Sequence, residues 1–164
     1  MSNIVYPYLP EGRTFIYVPA DNPFMLEAKE VARKESLDKG MPVGIVIVKD
    51  GKGVVAQGAN GSSHHEKHGC ERKRLGCKTG EGYELCEGCH PKNHAEIKAL
   101  ASARAVPGLD AQGTDVYMWG HWWCCEGCWK AMDAAGIRNV YLMEGSETLF
   151  KLGAPGNIIG RQFE

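Results

Sequence analysis

The spacing of apolar and polar residues predicts a helix and then a β-hairpin in the first part of the chain. Apolar residues recur at helical spacing over 22–39, and Gly40 follows as a signal that ends a helix. The β-branched run at 43–48 predicts a strand, and Asp50-Gly51 predicts a tight turn into a second strand at 54–58.

Helices and strands alternate in the rest of the pattern, after a polar insert at about 61–92. The predicted elements are a helix at 93–105 capped by Asn93, a strand at 116–119, a helix at 125–135, a strand at 137–143, a short amphipathic piece at 149–152 and a last strand at 157–159. Residues 1–20 show no regular pattern. The order α-β-β-α-β-α-β predicts a single α/β domain over 1–164, with one mixed sheet extended by β-α-β crossovers.

Composition narrows the class of protein. The chain has 164 residues, of which 43% are hydrophobic, and its formal net charge is −1. These values favour one globular domain without a strong electrostatic attraction to nucleic acid or membranes. No apolar run approaches the roughly 18 residues of a membrane span, and the first residues lack a signal-peptide pattern, so we expect a cytoplasmic protein.

The seven cysteines fall into two groups, which suggests two metal sites. The first group lies in the insert, where so long a polar stretch is expected to need a metal to order it. We expect a structural zinc there, with these ligands: Cys70, Cys77, Cys86 and Cys89. One of the histidines His64, His65, His68 and His90 is an alternative ligand, and a flexible loop without metal is the alternative to the site itself.

The second group of cysteines belongs to a split motif with catalytic character. His94-Ala95-Glu96 precedes Cys125-Glu126-Gly127-Cys128, and both segments fall at predicted helix starts. One imidazole and two thiolates leave a tetrahedral Zn²⁺ one open position for water, whereas structural zinc usually has four protein ligands. Glu96 then serves as the acid/base that moves protons for the zinc-bound water.

With these residues the chain resembles the cytidine/deoxycytidylate deaminase superfamily over about 25–145, and is most similar to deoxycytidylate (dCMP) deaminases. The resemblance also rests on Gly58-Ala59-Asn60-Gly61 and on the stretch 134–141. It implies a three-layer α/β/α sandwich around a mixed five-stranded sheet, a catalytic zinc on His94, Cys125 and Cys128, and a homo-oligomer. It also implies that Asn60 contacts the substrate, although Asn-Gly is by itself a turn signal.

The expected substrate is a small nucleotide, and the favoured reaction is hydrolysis of dCMP to dUMP and ammonia. His121 and Trp123 lie in the loop that holds the base in the resembling family, while Arg74 of the basic cluster 72–74 is the candidate phosphate contact. The loop departs from the family by placing Cys124 where proline is usual. The alternatives are a deaminase of tRNA adenosine or single-stranded DNA cytosine, and a non-catalytic zinc-binding module on the same scaffold.

Overall fold

One mixed β-sheet organises the protein in a computed structural model that describes residues 7–78 and 80–164. The strands are β1 (Phe15–Val18), β2 (Gly44–Lys49), β3 (Gly53–Ala59), β4 (Asp115–Trp119) and β5 (Asn139–Met143). The helices are α1 (Pro23–Glu35), α2 (His64–His68), α3 (Glu71–Leu75), α4 (Ala95–Ala105), α5 (Glu126–Ala135) and α6 (Ser146–Leu149). The strand order is β1-β5-β4-β2-β3.

The sheet lies between two layers of helices, so the predicted three-layer α/β/α architecture is confirmed. β1, β5 and β4 run parallel, and β2 is antiparallel to both β4 and β3. On one face, α1 packs on side chains that include Val46 and Tyr117. On the other face, α4 and α5 pack on side chains that include Ile47 and Met118. Each strand therefore alternates its side chains between two cores.

Local signals explain the two elements at the start of the predicted pattern. The Asn22 side chain accepts hydrogen bonds from the backbone N–H groups of Phe24 and Met25, at 3.0 and 3.1 Å, and so caps α1. α1 ends at Glu35, earlier than the predicted boundary at residue 39. The hairpin turn has positive φ at both Asp50 (55°) and Gly51 (64°), which is the backbone that tight hairpins require.

The fifth strand of the sheet is not the one predicted. β1 lies within the stretch expected to be irregular, whereas residues 157–159 form no strand. β1 is a short edge strand whose two central residues are exposed, so it lacks the apolar run of a buried strand. Ile158 instead anchors the C-terminal segment, because its N–H bonds the Leu149 carbonyl at 2.9 Å and its side chain packs on the core.

The insert at 61–92 is built from short elements. It contains α2, α3 and a 3₁₀ turn at Tyr83–Leu85, and a second turn at Pro91–Asn93 leads into α4. The N-cap of α4 is His94 and not Asn93, whose side chain instead bonds the Glu87 carbonyl at 2.7 Å. Within the described residues, the helices are all too short or too polar to cross a membrane.

Candidate active site

The metal-ligand motifs meet at one edge of the sheet because β3 and β4 point the same way and both end there. The chain after β3 leads through the insert to the start of α4, and the chain after β4 leads directly to the start of α5. Gly58 on β3 allows α4 to approach closely, since a Cβ at this position would lie 2.4 Å from the Ala99 backbone nitrogen. This contact holds the N-terminal half of α4 against the sheet.

Three donor atoms form a compact group at these two helix starts. His94 is the N-cap of α4, Cys125 is the N-cap of α5, and Cys128 lies in the first turn of α5. The Nδ1 atom of His94 is 3.4 Å from each Sγ atom, and the two Sγ atoms are 3.2 Å apart. The structure thus brings these three residues together at one place.

The spacing of the donors suits a zinc ion. A tetrahedral ion about 2.3 Å from sulfur and about 2.0 Å from nitrogen would separate N from S by about 3.5 Å and the sulfurs by about 3.8 Å. The observed nitrogen–sulfur distances agree with this, and the sulfurs would have to move apart by about 0.6 Å. Three protein donors leave a fourth position for a water or substrate atom.

Hydrogen bonds prepare the donors to bind a cation. The bond from Cys128, helped by His94, lowers the pKa of Cys125 to about 5, so its sulfur is a thiolate at neutral pH. The backbone N–H of Cys128 also points to the Cys125 Sγ atom, at 3.4 Å. The Nε2 atom of His94 lies 3.1 Å from the Cys89 carbonyl oxygen, which accepts its proton and leaves the Nδ1 lone pair facing the sulfurs.

Glu96 lies on the first turn of α4, two residues after His94, and is 7% exposed. Its neighbour across the site is Cys124, which is 1% exposed. Burial and the nearby Glu96 carboxylate raise the pKa of Cys124, so this thiol stays protonated. The Cys124 sulfur lies outside the three-donor group.

A cavity of about 570 Å³ opens over the donor group, which is large enough for a nucleotide-sized molecule. Its wall includes the predicted site residues His94, Glu96, Cys125, Asn60, His121 and Trp123. The cavity therefore joins the candidate metal site to most of the predicted substrate contacts.

The Asn60 side chain holds the backbone together beside this cavity. Its Oδ1 atom accepts hydrogen bonds from Ser36 Oγ at 2.6 Å and from the Val43 N–H at 2.8 Å, and its Nδ2 atom donates to the Met41 carbonyl at 2.9 Å. These bonds tie the end of α1 to the start of β2. One Nδ2 hydrogen remains beyond them, so Asn60 has a structural function whether or not it also contacts a substrate.

The loop after β4 contributes two aromatic groups to the cavity. Burial lowers the pKa of His121 to about 4, and its Nδ1 atom accepts the Trp123 N–H at 3.3 Å. His121 is therefore neutral at pH 7 with its remaining proton on Nε2. Trp123 is 2% exposed and is held by the core as well as lining the cavity.

The predicted phosphate contact is not at the cavity. Arg74 is exposed and pairs with Glu71 at 3.0 Å, and among the described cations only Arg72, Lys73 and Lys151 line the cavity wall. Sequence reasoning missed Lys151, whose Nζ atom lies 4.9 Å from the centroid of the Trp122 ring. Lys151 reaches the site from the segment after α6, and its place in the sequence gives no signal of this.

A second donor group lies in the insert. The Nε2 atom of His65 is 3.3 Å from Cys86 Sγ and 3.5 Å from Cys89 Sγ, and the Sγ atoms of Cys70 and Cys89 are 3.6 Å apart. These are again the separations of tetrahedral zinc ligands. Cys77 belongs to no group of three or more metal-donor residues in the described part of the chain. His65, one of the alternative ligands, takes the place predicted for Cys77.

The chain was then compared with known proteins. The similar solved structures include dCMP deaminase from the cyanophage S-TIM5 in apo form (24% identity, TM-score 0.49, 80% of this chain and 90% of that chain), the same enzyme in complex with dCMP and dUMP (24%, 0.48, 73% and 79%) and Acinetobacter baumannii RibD, form 2 (21%, 0.33, 72% and 33%). A search of curated proteins gave no match.

Residues 19–144, which include both halves of the three-donor group and Glu96, match the family described as the cytidine and deoxycytidylate deaminase zinc-binding region. The match covers well over half of the chain, and the resemblance noted in the sequence is confirmed. The chain belongs to the cytidine and deoxycytidylate deaminase family.

Proposed function

We propose that this deaminase hydrolyses a pyrimidine nucleoside monophosphate, with dCMP as the favoured substrate and dUMP and ammonia as products. The observation that carries the proposal is the donor group of His94, Cys125 and Cys128 beside the buried Glu96, at the base of a nucleotide-sized cavity. A closed structural site would have a fourth protein donor here and no need of an acid/base.

His94, Cys125 and Cys128 would hold the zinc ion. When bound, zinc lowers the pKa of a coordinated water to about 7 and so supplies a nucleophile at neutral pH. Glu96 takes a proton from the attacking water and delivers it to ring nitrogen N3 as the new C4–O bond forms. Glu96 then passes the second proton to the amino group, so that the C4–N bond breaks and ammonia leaves while C4 becomes a carbonyl. The burial of Glu96 keeps these protons from exchanging with bulk water.

The lining of the cavity suits both a nucleobase and an anion. Trp122 and Trp123 offer aromatic faces, and neutral His121 offers an Nε2–H donor. Arg72 is engaged by backbone carbonyls of Lys78 and Glu81, at 2.9 and 2.7 Å. Two cations of the lining remain for a phosphate, Lys73 and Lys151. The Lys151 side chain is 47% exposed and its Nζ atom lies 3.8 Å from a Glu147 carboxylate oxygen.

The second donor group supports a second zinc ion, held by His65, Cys70, Cys86 and Cys89. Four donors close the coordination of a tetrahedral ion, so this zinc would be structural. The proposed content is therefore two zinc ions per chain, one catalytic and one structural.

Ammonia release from a panel of substrates tests the proposal. The zinc-loaded protein should act on dCMP with the highest kcat/KM among dCMP, CMP, deoxycytidine, cytosine, guanine and single-stranded oligonucleotides. Turnover confined to oligonucleotides would instead identify a polynucleotide deaminase. Zinc binding without turnover on any member would identify a non-catalytic module on the deaminase scaffold.

A further inference from the structure

The two donor groups are joined by a single short segment of chain. Cys89 belongs to the insert group, and its carbonyl oxygen accepts the Nε2 proton of His94 at 3.1 Å. Between them, the turn Pro91–Asn93 is closed by bonds from Asn93 N–H to the His90 carbonyl and from His94 N–H to the Pro91 carbonyl, each 2.9 Å. The position of the Cys89 carbonyl therefore restricts the orientation of the His94 ring.

The insert also contacts the His94 ring through Tyr83. The two rings meet edge to face, with centroids 5.0 Å apart and an interplanar angle of 85°. Arg72 connects this contact to the insert donors, because its guanidinium carbon lies 4.5 Å from the Tyr83 centroid and its Nη1 atom is 3.6 Å from Cys89 Sγ. The imidazole is therefore held by the insert at its Nε2 atom and on its ring.

Tyr83 packs against the core, but the two short helices of the insert add little apolar burial. Neither α2 nor α3 contains a buried residue. Gly88 makes a close contact, since a Cβ there would lie 2.6 Å from the His65 ring, so the Cys86–Cys89 turn packs directly on that imidazole. A polar stretch of this kind cannot offset its ordering entropy by burial, and the four donors are what draws it together.

We infer that the insert donor group is a positioning device for the catalytic ligand: a metal on His65, Cys70, Cys86 and Cys89 fixes the Cys89 carbonyl and Tyr83, and these orient His94 with Nδ1 toward Cys125 and Cys128. The inference rests on the proposed zinc sites. His65 acts only through His94, so it is a positioning residue and not a catalytic one.

Hydrogen bonds to the outer nitrogen of a metal-bound histidine typically change metal affinity by about 10- to 100-fold when they are lost. Because linkage between two sites is reciprocal, filling the insert site should raise the zinc affinity of the catalytic site, and filling the catalytic site should raise that of the insert by the same factor. A purely structural insert would leave the two affinities independent.

His65→Ala is the first test, with His68→Ala as the matched control. His68 lies on the same short helix, is exposed, and its ring is not part of the donor group. For each protein, zinc content is measured by elemental analysis and the affinity of the catalytic site by chelator competition. Long-range ¹H–¹⁵N NMR spectra of the histidine rings report whether His94 keeps a slowly exchanging Nε2 proton while Nδ1 binds the metal.

The wild-type protein and His68→Ala should hold two zinc ions and show the protected Nε2 proton. His65→Ala should hold one zinc ion, bind it about 10- to 100-fold more weakly and lose the protected proton. Wild-type affinity together with a retained proton in His65→Ala would overturn the inference. That outcome would leave the proposed function intact, whereas a wild-type protein that binds no zinc at His94 would refute the proposed function itself.

Two further measurements apply if His65→Ala does not fold. Gly88→Ala keeps all four donors but pushes the His65 ring away from the turn, and it should weaken the catalytic site in the same direction. Stepwise Co²⁺ titration of the metal-free wild-type protein needs no substitution at all. Cooperative filling of the three-sulfur and two-sulfur sites supports the coupling, and independent filling overturns it.

Discussion

Replacing Asn60 with alanine should destabilise the protein strongly even where no substrate is present. The substitution removes three hydrogen bonds, to Ser36 Oγ, the Val43 N–H and the Met41 carbonyl. At about 1 kcal/mol each, their loss lowers the free energy of unfolding by about 3 kcal/mol. In a chain of this size that corresponds to a decrease in Tm of roughly 6–12 °C.

Ser36→Ala provides a graded control for this experiment. It removes the bond to Asn60 Oδ1 and leaves the other two bonds of the Asn60 side chain. It also removes weaker bonds of Ser36 Oγ with the Asn60 carbonyl, at 3.3 Å, and the Asp38 N–H, at 3.2 Å, so we expect a loss of about 1–2 kcal/mol. Both variants and the wild type are unfolded in urea with zinc present, and KM is measured on the same samples. If Asn60→Ala unfolded within about 0.5 kcal/mol of the wild type and only raised KM, then the structural reasoning would be refuted and the side chain would serve the substrate alone.

Three further predictions concern the two donor groups and the cavity. Glu96→Gln should keep the catalytic zinc but lower kcat by about 10²–10⁴-fold, because the amide cannot transfer protons. Elemental analysis measures the zinc content, and loss of the zinc would contradict the role assigned to Glu96. Cys86→Ser should bind one zinc ion per chain and Cys77→Ser two, since only Cys86 belongs to the insert donor group; equal zinc content would exclude this ligand set. Lys151→Ala should raise KM for dCMP about tenfold but not for deoxycytidine, while Arg74→Ala should change neither, and the reverse pattern would restore Arg74 as the phosphate contact.

Much of the fold was predictable because its signals are local. The Asp50-Gly51 turn specifies the hairpin, and Gly136 ends α5 in the left-handed conformation. The strand β1 was not predictable in this way, because its exposed edge position removes the apolar pattern and its partner β5 lies at the other end of the chain. Such a strand forms because it pairs with a strand that is distant in the sequence, and a short stretch of sequence carries no information about that pairing.

The residues of the candidate site also differ in whether local sequence signals could locate them. The three proposed zinc donors and Glu96 could be proposed from sequence because their spacing is set by helix starts, where both donor segments are found. The insert ligand set could not, since the choice of His65 over Cys77 depends on how two short helices fold back on the Cys86–Cys89 turn. The contact between the Cys89 backbone carbonyl and His94 could not be predicted either, because every residue has a backbone carbonyl.

The two parts of the site differ in predictability because only one of them is fixed by apolar packing. The donors on α4 and α5 sit on helices that pack directly on the sheet, so their positions follow from the burial of apolar surface. The side of the cavity built by the insert has little apolar surface and depends on its own donor cluster for order. The His94 ring lies where these two parts meet: its backbone is fixed by α4, and its orientation by Cys89 and Tyr83. We therefore expect a change in the insert to alter the orientation of His94 without disturbing the core that carries it.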